Sequence, residues 1–592
     1  MDAEAASYQA ISSGIKKVPG RKKQDPLAKV LIPDAGEDLD RRLHAWQATF
    51  TASLSPASLL LAYLDWSLHM ANAPAHRLRL ARAAAINCAR LASPKRWLKP
   101  EPRYRRFQGP AWAQPPFNLI AQAFLLTEDW WAQATRPMPG VTQHHADVVA
   151  FAARQLLDIF APTNCIWTNP EVLRATIAQG GVNLARGYLN FLEDVTRAIQ
   201  GEGAQANEKF RPGRDVALTP GTVVMRNDLM ELIQYAPATG KVHPEPVLII
   251  PAWIMKYYIL DLAPQESLVR YLTGQGFTVF CISWKNPGRE ARDTAFDDYR
   301  RLGVMAALDA ITAICGGNQV HALGYCLGGT LLACAAAAMA RDGDSRLKTM
   351  TLLAGQIDFH GAGELQLFTD ESQLALLDDM MWVQGHLGSR QMAGAFQMLR
   401  SNDLFWSHII KAYLLGQREE SSSLMAWNAD ATRMPYRMHS EYLHTMFLNN
   451  DLSEGRFAVE GHPVSIEGID VPIFALGTEF DHVAPWRSVY EIHRLNHGDI
   501  TFALASGGHN AGVVSPPDAK DHYFRMAERR SDARYIPPDA WLASAPRQPG
   551  SWWPAYADWL WQHSSTPADP PAMGSAQYHP LCAAPGTYVL EH

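Results

Sequence analysis

The sequence predicts an α/β protein: a mainly parallel sheet carrying an inserted helical cap, preceded by a helical region. Three observations lead there. From about residue 215 onward, short and nearly continuous apolar runs alternate with helical segments, as strands covered on both faces and joined by crossovers require. One interval in that alternation, about 360–470, is far too long for a crossover and reads as a cap or lid inserted over the sheet. Residues 39–214 carry helical periodicity and no strand-like run.

Taken in order, segment 1–38 has mixed charge and few large apolar groups, and reads as a disordered tail. Its basic cluster, Lys16, Lys17, Arg21, Lys22 and Lys23, reads as solvated charge. In "SPASLLLAYLDWSLHMANAP", Ser55 can cap a helix, Pro56 suits its first position and Pro74 stops it. "DVVAFAARQLLDIFAP" ends the same way at Pro162, and "NPEVLRATIAQGGVNLARGYLNFLEDV" restarts behind Asn169 and Pro170. The strand candidates follow: "VLIIPAW" (247–253), "FTVFCISW" (277–284), "QVHALGY" (319–325), "MTLLAG" (350–355), "VPIFALG" (471–477) and "ITFALA" (500–505). They place an α/β domain over 215–592. Its Trp-rich end, with Trp552, Trp553, Trp559 and Trp561, reads as packing.

Composition is that of an ordinary globular chain, 47% hydrophobic and 19% charged, and a net charge of −6 gives no electrostatic argument for nucleic acid. No apolar run is long enough to cross a bilayer, and "MDAEAASYQAISSG" lacks the apolar core of a secretory signal. A soluble, intracellular protein is therefore expected. The seven cysteines are scattered without a CxxC pair, which argues against a disulfide framework and a structural zinc; no metal-ligand spacing is seen.

"HALGYCLGGT" (321–330) carries the chemistry. Gly324 and Gly328 flank Cys326 between a strand and an alanine-rich helix, the pattern of a nucleophile elbow. The start of that helix favours a thiolate. The bland reading is a buried structural thiol. Against it, an acid and a base follow in the order such a site needs: Asp481 after one strand, and His509, loosened by Gly507 and Gly508, after the next. His482 is the rival base, but it adjoins the acid directly, so a substrate-binding role suits it better. His321, opening a strand, reads as structural. Two backbone donors would form the oxyanion hole, Leu327 directly after the nucleophile and Ile254 from "IPAWIMKYY".

With these residues assembled, the chain resembles the class I polyhydroxyalkanoate synthases (poly-3-hydroxybutyrate polymerases) of the α/β-hydrolase superfamily. The matching stretches include "LAYLDWSLHMANAP", "FNLIAQAFLL", "SWKNPG", "GYCLGGT", "WNADATRMPYRMHSEYL", "DHVAPW", "GGHNAGVVSPP" and "GSWWPAYADWL". The resemblance implies an acylated nucleophile at Cys326, a general base at His509 and its partner at Asp481, which either orients His509 or acts on the attacking hydroxyl. It implies a specificity-linked position at Ala511. The substrate would be an (R)-3-hydroxyacyl-CoA such as 3-hydroxybutyryl-CoA, polymerised with release of CoA and no further cofactor. Expected partners are the growing polyester, the granule surface in the cytoplasm, and a second copy of the chain. Met255 stands where the family often has Asn, close to the presumed oxyanion loop. The competing reading is a thioesterase or polyester depolymerase of the same fold, which would yield free hydroxy acid.

Overall fold

The computed structural model describes residues 35–591 apart from 95, 96, 99–105, 201–208, 390, 393, 395–404 and 419. Most of the expected tail, residues 1–34, lies outside them. Helix α1 (Ala35–Phe50) begins within the segment assigned to the tail. Asp38 falls in its first turn, where the helix dipole favours negative charge, and Ala45 and Ala48 are buried.

Six more helices follow: α2 (Pro56–Ala71), α3 (Pro74–Leu91), α4 (Phe117–Ala134), α5 (Gln143–Ile159), α6 (Pro170–Ala178) and α7 (Val182–Gln200). Their starts obey local chemistry. The Ser55 side chain accepts from the Ser58 N–H, and the Asn169 side chain accepts from those of Glu171 and Val172, each with proline directly behind the cap. These helices bury little on their outer sides. Leu59, Leu60, Leu61 and Leu64 on α2, and Tyr188, Leu189 and Phe191 on α7, are exposed.

The sheet has eleven strands: β1 (Gly221–Arg226), β2 (Met230–Tyr235), β3 (His243–Ile250), β4 (Phe277–Trp284), β5 (Val320–Tyr325), β6 (Leu347–Leu353), β7 (Ile473–Thr478), β8 (Ile500–Ala505), β9 (Tyr523–Arg529), β10 (Arg547–Pro549) and β11 (Cys582–Ala583). Their order is β10-β9-β8-β7-β6-β5-β3-β4-β2-β1-β11. The six anticipated runs form the parallel centre, β8-β7-β6-β5-β3-β4. The flanking strands pair antiparallel on both sides. "YFRMAER" alternates polar with apolar residues because it is only partly covered, so it lacks the continuous apolar signal of a central strand.

Helix α8 (Leu327–Asp342) leaves β5 and is buried almost throughout, its run of alanines allowing close packing on the sheet. The inserted segment contributes α9 (Glu371–Gln384) and α10 (Tyr436–Tyr442). Helix α1 packs along α9, with His44 Nδ1 2.6 Å from the Asp379 carboxylate. Asp370, capping α9, also receives the Ser58 hydroxyl and lies 3.3 Å from His144 Nε2. The helical region is thus fastened to the cap. Helix α11 (Trp553–Gln562) closes the far side, with Trp552, Trp553 and Tyr556 in the core and Trp561 left exposed.

Candidate active site

Cys326 ends β5 at the middle of the parallel sheet with φ 53° and ψ −122°, a region that non-glycine residues rarely occupy. The neighbouring glycines make that turn possible. A Cβ on Gly324 would sit 2.5 Å from the Gly329 Cα, and one on Gly328 would sit 2.0 Å from the Ile250 carbonyl oxygen. The turn is anchored by the Cys326 N–H donating to the Leu353 carbonyl at 2.9 Å. The strained, over-determined conformation puts the thiol at the start of α8.

Asp481 follows β7 and His509 follows β8, and the structure brings both to Cys326. The His509 Nδ1–H donates to Asp481 Oδ2 at 2.7 Å, which leaves Nε2 as the nitrogen available to the Cys326 thiol, with which His509 also hydrogen-bonds. Asp481 is saturated: its Oδ1 accepts the N–H groups of Val483 and Ala484 at 2.8 Å each, and its Oδ2 also accepts the Thr478 hydroxyl at 3.0 Å. Burial alone would lower the imidazole pKa, but the charge of Asp481, then that of Cys326, and hydrogen bonds to both carry it well above its ordinary value. Burial likewise works to raise the Asp481 pKa, yet the charge and hydrogen bond of His509 and the two backbone donors hold it below the usual carboxylate range. Each member of the pair therefore stabilises the ionised form of the other.

The thiol faces an apolar cavity of about 140 Å³ beneath the cap. Ile254 and Leu327, the two expected oxyanion donors, both line it. The Ile254 loop is held from the cap: the Thr432 N–H donates to the Ile254 carbonyl at 3.0 Å and the Thr432 hydroxyl to the Trp253 carbonyl at 2.6 Å. Met255 makes a backbone bridge to Ala431 and packs against the core, outside the cavity lining. His482 and Ala511 are exposed, and neither lines the cavity. The turn that feeds the Val483 and Ala484 N–H groups to Asp481 directs those two residues into the wall in place of His482. His321 is buried between the hydroxyls of Thr349 and Ser564 and serves the sheet.

Several wall residues carry no signal in the sequence. Ala52, Ser53 and Leu54, between α1 and α2, reach the cavity on a loop with φ of 51° at Ala52 and 64° at Ser53. Gln373 fixes that loop, accepting from the Ser55 N–H and donating to the Ser53 carbonyl. His439 and Tyr442 on α10 complete the opposite wall. Beside His509, Asn510 accepts from the Tyr325 hydroxyl at 2.7 Å and donates to Asn428 of the cap at 3.1 Å, tying the elbow, the His509 loop and the cap together. The Tyr325 ring lies 5.7 Å from that of His509. A polar residue directly after His509 is the one sequence cue that could have found Asn510. Among the described residues, no group of three His, Cys, Asp or Glu side chains is placed to hold a metal ion.

Comparison with known proteins adds an independent line. A family model described as "Poly-beta-hydroxybutyrate polymerase (PhaC) N-terminus" matches residues 103–272, and "Poly-beta-hydroxybutyrate polymerase N terminal" matches 35–76. The "alpha/beta hydrolase fold" model matches 245–516, which identifies the sheet and its elbow as that fold. The chain is 42% identical to a poly(3-hydroxyalkanoate) polymerase of Methylorubrum extorquens, over 83% of this chain and 81% of that one. It is 38% identical to a poly(3-hydroxyalkanoate) polymerase subunit of Rhizobium etli, over 83% of this chain and 78% of that one. It is 37% identical to one of Cupriavidus necator, over 82% of each.

Proposed function

Because the chain belongs to the poly(3-hydroxyalkanoate) polymerase family, we propose that it polymerises (R)-3-hydroxyacyl-CoA through an acyl-cysteine at Cys326. The observation that carries this reading is the alignment of a strained elbow thiol, His509 and a saturated Asp481 at the mouth of a small apolar cavity. In the first step His509 takes the thiol proton, and the sulfur attacks the thioester carbonyl. The Sγ–C bond forms as the C–S bond to CoA breaks, and CoA leaves with the proton that His509 returns. One thioester replaces another, so the acyl group remains activated. In the second step a hydroxyl of another hydroxyacyl unit gives its proton to His509 and attacks that carbonyl. An ester forms, and Sγ leaves and recovers the proton. Serine would form an ester at the first step and forfeit the activation that the second step uses. Backbone N–H groups of Leu327 and Ile254 are assigned to the developing oxyanion. The four hydrogen bonds on Asp481 favour a role in orienting His509 over direct contact with the attacking hydroxyl. The reaction balances without redox chemistry, and we assign no cofactor beyond CoA as leaving group.

The cavity supports a short acyl group. An apolar protein cavity of about 150 Å³ holds benzene, and a 3-hydroxybutyryl group has as many non-hydrogen atoms as benzene. We assign 3-hydroxybutyryl-CoA as substrate on that basis. The exposed apolar residues of α2 and α7 support contact of the helical region with the polyester granule in the cytoplasm or with a second copy of the chain. No helix among the described residues is long and apolar enough to cross a membrane, so such contact would be peripheral.

The test is incubation of the protein and of Cys326→Ala with (R)-3-hydroxybutyryl-CoA, following thiol release and product mass. High-mass polyester, abolished by the substitution, is the expected result. Release of free 3-hydroxybutyrate alone would replace the synthase reading with a hydrolase. Polymer formation by Cys326→Ala would end the acyl-cysteine mechanism.

A further inference from the structure

The cavity wall holds a polar pair that the mechanism above does not use. His439 and Tyr442 lie three residues apart on α10, hence on one face of it, and both line the cavity with Cys326. Both are buried, His439 at 4% and Tyr442 at 3% exposure, and neither the His439 Nδ1 nor the Tyr442 hydroxyl has a hydrogen-bond partner. Leaving a buried polar atom unsatisfied is destabilising, so two on one wall need a reason.

The other polar side chains of the wall are engaged. Thr330 donates to the Gln356 carbonyl, and Gln356 donates to Ser488. Gln373 is held by Ser55 and Ser53, and Thr369 donates to the Gln366 carbonyl. Ser53 and Gln391 reach the Met380 sulfur. His439 and Tyr442 are thus the wall residues whose buried polar atoms have no partner within the protein. The pair is held in place by packing. The Tyr442 ring lies 5.7 Å from Trp253, 5.5 Å from Phe447 and 6.1 Å from Phe359, each edge-on, and is stacked on His439 at 6.3 Å.

Resting on the acyl-cysteine reading, we propose that Tyr442 and His439 form the recognition site for the 3-hydroxyl of the monomer being loaded onto Cys326. Beyond the thioester carbonyl, that hydroxyl is the monomer's sole polar group, and it both donates and accepts. The pair offers matching chemistry. Burial pushes the His439 pKa down to about 4, so the imidazole is neutral and keeps one donor and one acceptor nitrogen. Burial, then the neighbouring Cys326, hold the Tyr442 phenol well above its ordinary range, so it remains a donor. A hydroxyl seated here satisfies both wall groups; an acyl group without one leaves them buried and unpaired, which is how a polar site rejects a deoxy analogue.

The experiment compares single-turnover CoA release from (R)-3-hydroxybutyryl-CoA and from butyryl-CoA. The unaltered protein should prefer the hydroxyacyl substrate by about 100-fold, two such hydrogen bonds' worth. Tyr442→Phe, which removes one oxygen and keeps the ring, should cut the preference about tenfold by slowing the hydroxyacyl substrate alone. His439→Leu should do the same, and His439→Gln should restore part of the preference. Equal slowing of both substrates would reduce the pair to a structural role and overturn the proposal, as would an unchanged preference in Tyr442→Phe and His439→Leu. Absence of CoA release by the unaltered protein, or its persistence in Cys326→Ala, would instead sink the acyl-cysteine reading on which the proposal rests.

Discussion

Two hollows lie side by side beneath the cap, and they are built for different solvents. The cavity at Cys326 is about 140 Å³ and walled mostly by aliphatic and aromatic side chains. The neighbouring cleft, between α4, α5 and the inserted segment, is about 730 Å³ and carries Glu128, His144, Asp147, Arg154 and Glu364. Its polar groups pair with one another or with the seam: Arg154 with Glu364 at 2.8 Å, and His144 with Asp370. Thr369 and Phe447 line both hollows, so a single layer of side chains divides them. On the acyl-cysteine reading, that layer is one barrier between an acylated Cys326 and the polar cleft, and water kept behind it would spare the thioester.

The contrast predicts effects of very different size on the two sides. Asp481→Asn acts on the Cys326 side, through His509. It removes the charge that orients and supports His509, and polymerisation should fall by about 10³-fold with little change in KM. Steady-state CoA release on the folded variant measures this; a loss below tenfold would mean that Asp481 merely packs. Phe447→Ala attacks the dividing layer itself. Removing a ring that packs on Phe359 and Tyr442 should let water reach the acylated thiol, raising the yield of free hydroxy acid by about tenfold at the expense of polymer length. Product analysis decides, and an unchanged ratio of acid to polymer would show that water is excluded elsewhere.

Asp370→Asn weakens the seam that bounds the cleft. Burial raises this carboxyl's pKa, but the hydrogen bonds of His144, Ser58 and the Gln373 N–H outweigh it and hold the value at about 2. A carboxylate depressed in the fold contributes stability that is fully present above its unfolded pKa, near 4, and is lost as the pH falls through about 2. The contribution amounts to about 2 kcal/mol, and asparagine caps a helix as well as aspartate does. The variant should therefore melt lower at pH 6, with the gap narrowing steadily below pH 4. A gap independent of pH would assign the effect to lost geometry and not to charge.

The grouping of Cys326, Asp481 and His509 was legible in the sequence because each of its parts is local. A strand, a turn between glycines and an alanine-rich helix announce Cys326, and Asp481 and His509 each stand just past an apolar strand. The walls were not legible because they are assembled from afar. The contact of the Ser55 N–H with Gln373 spans 318 residues, and no periodicity in either segment points to the other. The same holds for His439 and Tyr442, whose spacing marks a helix face without saying what it faces. His482, set aside as the base because it adjoins Asp481 and given a substrate-binding role, lies exposed outside the cavity lining, and the turn that supplies Asp481 with backbone donors places Val483 and Ala484 in the wall. Strand β9 escaped notice because partial exposure mixes polar residues into it, and α1 because its start falls in charged sequence.

The smallest effect belongs to the open side of the cleft. Arg154 and Glu364 link α5 to the inserted segment, but their side chains are 49% and 28% exposed. Water already solvates both charges well, and holding two long side chains together costs entropy, so an exposed pair of this kind contributes under about 1 kcal/mol. Arg154→Ala should shift the melting temperature by no more than a degree or two and leave the rate of CoA release and the acid-to-polymer ratio unchanged. Added salt should erase what remains of the shift. Were this substitution to alter the product ratio as Phe447→Ala does, the division of labour between the two hollows would fail, because a charge pair on the wet side would then be governing access to the dry one.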